Sequence, residues 1–94
     1  MAMSRKILPD ALKHGFTESD ILYAIENAIV SFEYEGKFLI ILAYIGPAEN
    51  LILIEIFSNV DDNGDEIIFH AMKLTKSVAL AAKKYIEGTT WTEK

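Results

Sequence analysis

Two apolar runs near the middle of the chain dominate its pattern of hydrophobic and polar positions. The first covers residues 38–45 and the second covers residues 51–57, and both are rich in β-branched and aromatic side chains. Turn formers, including Gly46 and Pro47, separate them. Short runs of this composition predict two β-strands joined as a hairpin. Neither run alternates cleanly between apolar and polar residues, so we expect both faces of the sheet to be covered, or one face to await a partner.

Two further strands flank this hairpin. Residues 30–34 alternate, with Val30, Phe32 and Tyr34 on one face, which is typical of a half-exposed strand at a sheet edge. Residues 66–71 follow a polar loop rich in Asp, Asn and Gly, and they predict the last strand. Together the four segments indicate a four-stranded antiparallel sheet.

Helical signals lie at both ends of the chain. The residues between Pro9 and Gly15 predict a short first helix, and a capping box at Thr17 and Asp20 predicts the start of a second one. Thr75 or Ser77 can cap a C-terminal helix that ends at Gly88. This helix has an apolar stripe at helical spacing, formed by Leu74, Val78, Ala81 and Tyr85. The sequence therefore predicts an α+β fold with two N-terminal helices, a four-stranded antiparallel sheet and a C-terminal helix.

Length and composition indicate a single domain over residues 1–94, with an ordered core at about 5–88 and a loose tail at 89–94. The longest apolar run has eight residues, well short of the ~20 that a membrane span needs. The N-terminus precedes no hydrophobic signal core, and the chain has no cysteine. We therefore expect a cytoplasmic protein that does not associate with a membrane.

The charge distribution is uneven. The net charge of −5 disfavours nucleic-acid binding in general. Residues 72–84 nevertheless contain four lysines and no acid, and the N-terminal segment adds Arg5, Lys6 and Lys13. A fold that brings the two ends together would carry a basic patch on an acidic body. The alternative is that these lysines lie on a solvated helix surface.

Three residues are candidates for proton transfer. Glu55 is the only charged residue within residues 51–57, and a carboxylate on a covered sheet face has to find a cation or take up a proton. His70 precedes Lys73 and Lys76, and the only other histidine is His14. Two histidines and a lysine suffice for metal-free RNA cleavage through the 2′-hydroxyl. The spacing leaves open whether they meet. For each histidine the alternative is a surface or hydrogen-bonded structural role. For Glu55 it is a position near the sheet margin or a pairing with a lysine of the last helix.

The polar segment from Asn59 to Gly64 imitates the start of an EF-hand calcium loop. The twelfth position of such a loop is a bidentate Glu, and here it is His70. The flanking residues also predict strands where an EF-hand has helices. We therefore expect an ordinary hairpin loop, and neither a metal nor another cofactor.

Short motifs at both ends resemble BrnT-like toxins and related small bacterial domains. Residues 13–17 read Lys-His-Gly-Phe-Thr, and Asp-Ile-Leu at 20–22 and Ala28 follow them, as in the opening of these proteins. Residues 67–73, followed by a helix that contains Tyr85, resemble their closing strand and helix. The resemblance covers about residues 10–87 in element order. It implies a RelE-like fold, ribonuclease activity and an antitoxin partner encoded alongside.

The resulting hypothesis is a toxin-family protein that cleaves RNA without a metal. His70 and His14 transfer protons, Lys73 and Lys76 bind the phosphate, and Glu55 tunes a histidine or serves as the base.

Two alternatives stay open because Met72 stands where these toxins tend to have Arg and Arg5 is the only arginine. In the first, the protein is a non-enzymatic interaction module whose sheet and edge strand bind a partner protein or a second copy in a homodimer. In the other, it binds a small ligand.

Overall fold

The computed structural model describes residues 4–35 and 40–90. In this part of the chain the elements are, in order, β1 (Arg5–Ile7), a 3-10 helix (Pro9–Leu12), α1 (Glu18–Glu26), β2 (Val30–Glu35), β3 (Ile40–Pro47), β4 (Leu53–Val60), β5 (Glu66–Lys73) and α2 (Lys76–Thr90). The predicted α+β class is confirmed. The connection between β2 and β3, at residues 36–39, lies outside the described residues, as does the end of the chain from residue 91 onward.

The described strands form one sheet in the order β1-β5-β4-β3-β2. The four predicted strands are present and antiparallel, and β2 forms one edge as expected. The prediction of a wholly antiparallel four-stranded sheet was wrong, because β1 adds a fifth strand parallel to β5. This strand has three residues and no apolar pattern. Its pairing with β5 depends on long-range contacts, such as the hydrogen bond from the Glu66 N–H to the Ser4 carbonyl at 3.0 Å.

The first predicted helix is a four-residue 3-10 helix, so the described chain has two α-helices where three helices were predicted. Pro9 lies in its first turn, and Gly15 adopts a φ of +93° soon after its end. The stretch between these two residues is too short for an α-helix that repeats its hydrogen bonds. At the other end of the chain, α2 continues to Thr90 and passes the predicted stop at Gly88.

Helices cover both faces of the sheet, which is one of the two arrangements that the non-alternating strands allowed. On one face α1 and the 3-10 helix contribute to a core that contains Ala11, Ile21, Ala24, Ile25, Ala48, Ile54, Ile56, Ile68 and Ala71. On the other face α2 packs over a smaller core that contains Phe32, Ala43, Ile45, Val78 and Ala82. Continuous apolar strands bury side chains on both faces, which explains why β3 and β4 lack alternation.

The docking of α1 depends on Gly46 in β3. A Cβ at this position would overlap the carbonyl oxygen of Ala24 and lie 3.1 Å from the Cα of Ala28. The start of α1 has the predicted capping box: the Thr17 hydroxyl accepts the Asp20 N–H at 3.0 Å, and the Asp20 carboxylate accepts the Thr17 N–H at 3.1 Å. The latter bond lowers the pKa of Asp20.

The turn between β3 and β4 lies later than predicted. β3 continues through Pro47, and β4 begins only at Leu53. Leu51 was predicted in a strand but lies in the turn with a φ of +71°, and 73% of its surface is exposed. Hydrogen bonds across the turn join Ala48 to Leu51 and to Ile52. These bonds form the hairpin turn from residues whose apolar character predicted a strand.

Candidate active site around Glu55 and His70

Glu55 lies on β4, on the face of the sheet that α2 covers, and only 2% of its surface is exposed. Its Oε1 accepts two hydrogen bonds from Thr75, one from the backbone N–H at 2.8 Å and one from the hydroxyl at 2.7 Å. Its Oε2 lies 2.8 Å from Nε2 of His70. The partners of this buried carboxylate are therefore a histidine and a threonine. The alternative, a lysine of the last helix, does not hold.

His70 lies on β5 directly opposite Phe57, and the two rings stack with centroids 4.5 Å apart. One nitrogen, Nε2, bonds Glu55, and the His70 side chain is 24% exposed. Among the described side chains, no buried nitrogen or oxygen lacks a hydrogen-bond partner. Because Nδ1 of His70 has no such partner there, this nitrogen must reach solvent.

His14 lies next to His70, with ring centroids 6.0 Å apart and planes at 67°. It is exposed and follows the 3-10 helix, which packs along β5. The parallel pairing of β1 with β5 directs the N-terminal segment along this edge. The structure therefore brings together all three residues predicted for proton transfer, which the spacing had left open.

The predicted phosphate-binding lysines lie at the junction of β5 and α2. Lys76 is the first residue of α2 and is adjacent in sequence to Thr75, which holds Glu55. Lys73 is the last residue of β5 and lies opposite Ile54, whose side chain belongs to the α1 face. Both are exposed, as is Lys13 beside His14, and within the described ranges none of the three forms an ion pair.

The remaining basic residues of the N-terminal segment are paired with acids. Arg5 Nε lies 2.8 Å from Oε1 of Glu66, and Lys6 Nζ lies 3.4 Å from Oδ2 of Asp65. The fold does bring the two ends of the chain together. Arg5 and Lys6 are therefore paired with acids, whereas Lys13, Lys73 and Lys76 form no ion pair among the described residues.

Glu66 is the centre of a second polar cluster, and sequence reasoning missed it. Its Oε2 accepts hydrogen bonds from the Tyr44 and Ser58 hydroxyls, both at 2.6 Å. Burial opposes ionisation of this carboxyl, but the bonds from Ser58, Tyr44 and Arg5 outweigh it and lower the pKa of Glu66. Burial and the bond to Glu66 raise the pKa of Tyr44. Both oxygens of Glu66 are bonded, and the bond to Arg5 joins β1 to β5.

Sequence reasoning also missed the contacts of Thr75 and Phe57. Thr75 was a candidate N-cap for α2, and its hydroxyl does face the Val78 N–H, at 3.5 Å. Nothing in the sequence indicated that the same hydroxyl binds Glu55. Phe57 belongs to an apolar run, which predicts burial but gives no information on which ring it stacks against.

No metal site was found in the part of the chain that the structure describes. Among the described residues, no group of three or more His, Cys, Asp or Glu side chains could hold an ion. In the loop that imitates an EF-hand, Oδ1 of Asp61 accepts the backbone N–H groups of Asn63 and Asp65 at 2.9 and 3.0 Å. These bonds close an ordinary hairpin turn. No helix of the described chain is long and apolar enough to cross a membrane.

No match to this chain was found among protein-family models, curated proteins or solved structures.

Two features define what the site can do chemically. Glu55 is buried, and of the two histidines it is bonded to His70. His70 and His14 are both accessible and adjacent, so they can exchange protons with one bound molecule. The arrangement is that of an acid–base pair in which one member is supported by a carboxylate.

Proposed function

We propose that the protein cleaves RNA without a metal and belongs to the BrnT-like toxins of type II toxin–antitoxin systems, with a RelE-like fold. The observation that supports this most is the proximity of His14, Glu55 and His70, the three residues whose chemistry suits proton transfer. The motifs at residues 13–17 and 67–73 support the family assignment. An antitoxin protein encoded alongside is the expected partner.

In the proposed reaction His70 is the general base. It takes the proton of a ribose 2′-hydroxyl, and the 2′-oxygen forms a bond to the adjacent phosphorus. The bond between phosphorus and the 5′-oxygen of the next nucleotide breaks, and the leaving oxygen takes its proton from His14. The products are a 2′,3′-cyclic phosphate and a free 5′-hydroxyl, so protons and electrons balance without water or a metal. The carboxylate of Glu55 stabilises the imidazolium that forms on His70.

Negative charge increases on the phosphate as the 2′-oxygen attacks. Lys76, which follows Thr75 in sequence, and Lys73, at the end of β5, are the cations that would stabilise this charge. Lys13 is adjacent to His14 in sequence and adds a third. These lysines give the site a local positive charge on a protein that is acidic overall.

The first test is induced expression in a bacterial host of wild type, His70→Ala and the control Asn63→Ala, which changes an exposed loop residue. Growth and RNA integrity are followed together, and immunoblots establish equal amounts of protein. The proposal predicts growth arrest with RNA fragmentation for wild type and the control, and neither effect for His70→Ala. Normal growth and intact RNA with abundant folded wild type would overturn it.

A second candidate function, a homodimeric interaction module, is favoured by the position of β2. This strand pairs only with β3 among the described strands, and an open edge accepts a strand from another chain. A groove between β2 and α2 is lined by Phe32, Glu33, Tyr34, Ala81, Lys84 and Tyr85. The groove carries one acidic residue, Glu33, and one basic residue, Lys84. A second copy in antiparallel orientation would place its Lys84 near Glu33 and its Glu33 near Lys84.

Sedimentation of the purified protein tests this second function. A module of this kind predicts a concentration-dependent dimer, which Ser31→Lys disrupts by placing a charge on the exposed edge strand. Asn63→Lys adds the same charge to a distant loop and should leave the dimer intact. A monomer at all concentrations would exclude self-association through β2.

A further inference from the structure

We propose that Thr75 is a positioning residue that makes Nδ1 of His70 the atom that exchanges protons with the substrate. This inference rests on the proposed ribonuclease function and specifies which nitrogen of the general base His70 takes the proton. It follows from the partners of the two Glu55 oxygens, since Thr75 binds Oε1 and His70 binds Oε2.

Thr75 occupies one oxygen of Glu55 completely. Its backbone N–H and its hydroxyl both donate to Oε1, at 2.8 and 2.7 Å. Hydrogen bonds to a charged acceptor are stronger than those between neutral groups, and two on one oxygen restrict rotation of the carboxylate. The other oxygen, Oε2, is therefore directed at His70.

The bond to Oε2 determines the tautomer of His70. A carboxylate can only accept, so Nε2 of His70 must carry the hydrogen in their 2.8 Å contact. In the neutral ring the lone pair is then on Nδ1, which reaches solvent. Nδ1 is consequently the only nitrogen of this ring that can take a proton from a substrate while the bond to Glu55 is kept.

Thr75 also belongs to the start of α2, where its hydroxyl lies 3.5 Å from the Val78 N–H. A purely structural cap would affect stability when removed, but it would leave the imidazole of His70 unchanged. The two roles can therefore be separated by observing the His70 ring directly.

The experiment compares Thr75→Val, Thr75→Ser and the control Asn63→Ala, which changes a distant exposed loop residue, in the full chain. Valine keeps the branched shape and the backbone N–H but lacks the hydroxyl, whereas serine restores it. Proton NMR detects the ring N–H of His70, identified as the downfield signal absent in His70→Asn. In wild type, Thr75→Ser and Asn63→Ala this signal should exchange slowly with water, because Nε2–H is bound to a buried carboxylate. In Thr75→Val it should broaden or disappear.

Kinetics on a single-stranded RNA oligonucleotide provide the second readout. The loss of one hydrogen bond to the charged Glu55 should lower kcat about tenfold in Thr75→Val and leave KM unchanged. Thr75→Ser should restore kcat.

The outcomes separate this inference from the ribonuclease proposal. A protected His70 signal that depends on the Thr75 hydroxyl, in a protein that cleaves no RNA, would support the positioning of His70 and overturn only the ribonuclease function. RNA cleavage with unchanged kcat and an unchanged His70 signal in Thr75→Val would overturn the role of Thr75 and leave the ribonuclease function standing.

Discussion

Oε2 of Glu55 and Nε2 of His70 lie 2.8 Å apart on adjacent strands, although the two residues are not directly paired. In the ladder between β4 and β5, Glu55 is opposite Met72 and His70 is opposite Phe57. The contact is therefore a diagonal one across the face that α2 covers. It joins a buried carboxylate to an accessible imidazole, which is the relationship that an assisted general base needs.

Removing the charge of Glu55 should destabilise the protein. Glu55→Gln keeps the size of the side chain, but its amide group has to face either Thr75 or His70, and each of them donates a hydrogen bond to the native carboxylate. We expect a loss of about 1–3 kcal/mol, the penalty of an unsatisfied buried group. Urea unfolding measures the difference. Glu26→Gln, on the exposed side of α1, is the control and should stay within ±0.5 kcal/mol of wild type.

Lowering the pH should weaken the contacts by which Glu66 holds β1 against the sheet. The pKa of Glu66 is lower in the folded protein than in the unfolded chain. Its contribution to stability is therefore fully present above the unfolded value of about 4.3 and is lost as the pH falls through the folded value. Urea midpoints between pH 7 and pH 3 should fall less steeply for Glu66→Gln than for wild type. Asp20 and Asp65 also have lowered pKa values, so part of the acid slope should remain.

An equal dependence of stability on pH in Glu66→Gln and in wild type would contradict this account of Glu66. If Glu66→Gln and wild type lost stability with the same slope, the carboxylate would have equal pKa values in the folded and unfolded chain.

A methyl group at Gly46 should displace α1. The new Cβ of Gly46→Ala would collide with the backbone of Ala24, and backbone cannot rotate away as a side chain can. Overpacking of this kind typically destabilises by about 1–3 kcal/mol. Gly15→Ala is the comparison, since its Cβ would meet nothing within 4 Å and only the φ of +93° would be strained. Thermal unfolding should show the larger loss for Gly46→Ala, and equal losses would exclude the close approach of α1.

The capping box at the start of α1 gives a further prediction. Thr17→Ala removes the oxygen that accepts the Asp20 N–H and should lower the free energy of unfolding by about 1 kcal/mol. Thr17→Ser keeps that oxygen and should change stability little. Urea unfolding of the two variants checks this, and an equal loss in both would assign the effect to the methyl group of Thr17.

The elements of the fold that depend on short stretches of sequence were the ones that could be predicted. The four longer strands, the capping box at Thr17 and the coverage of both sheet faces follow from runs and spacings a few residues long. β1 escaped prediction because three residues of mixed polarity gain their structure only from β5, far along the chain. Leu51 was misplaced because hydrogen bonds within the turn outweigh the strand preference of an apolar side chain.

For the candidate site, the sequence indicated the chemical type of the residues but not their positions relative to one another. Glu55 was recognisable because a lone carboxylate in an apolar strand needs a partner, and the histidines because of their chemistry. Their proximity depends on β1 directing His14 along β5, which no local pattern encodes. Thr75 was recognisable as a helix cap, but its second role depends on the register between β4 and β5.

The most direct test of the proposed activity is the chemistry of the cleaved ends. Purified protein is incubated in EDTA with a single-stranded RNA and with the same RNA carrying 2′-deoxyribose at the cleaved nucleotide. The account predicts 2′,3′-cyclic phosphate ends from the first substrate, none from the second, and no cleavage by His70→Ala. Intact RNA in the presence of folded wild type would contradict it, and so would cleavage that survives the 2′-deoxy substitution or the loss of His70.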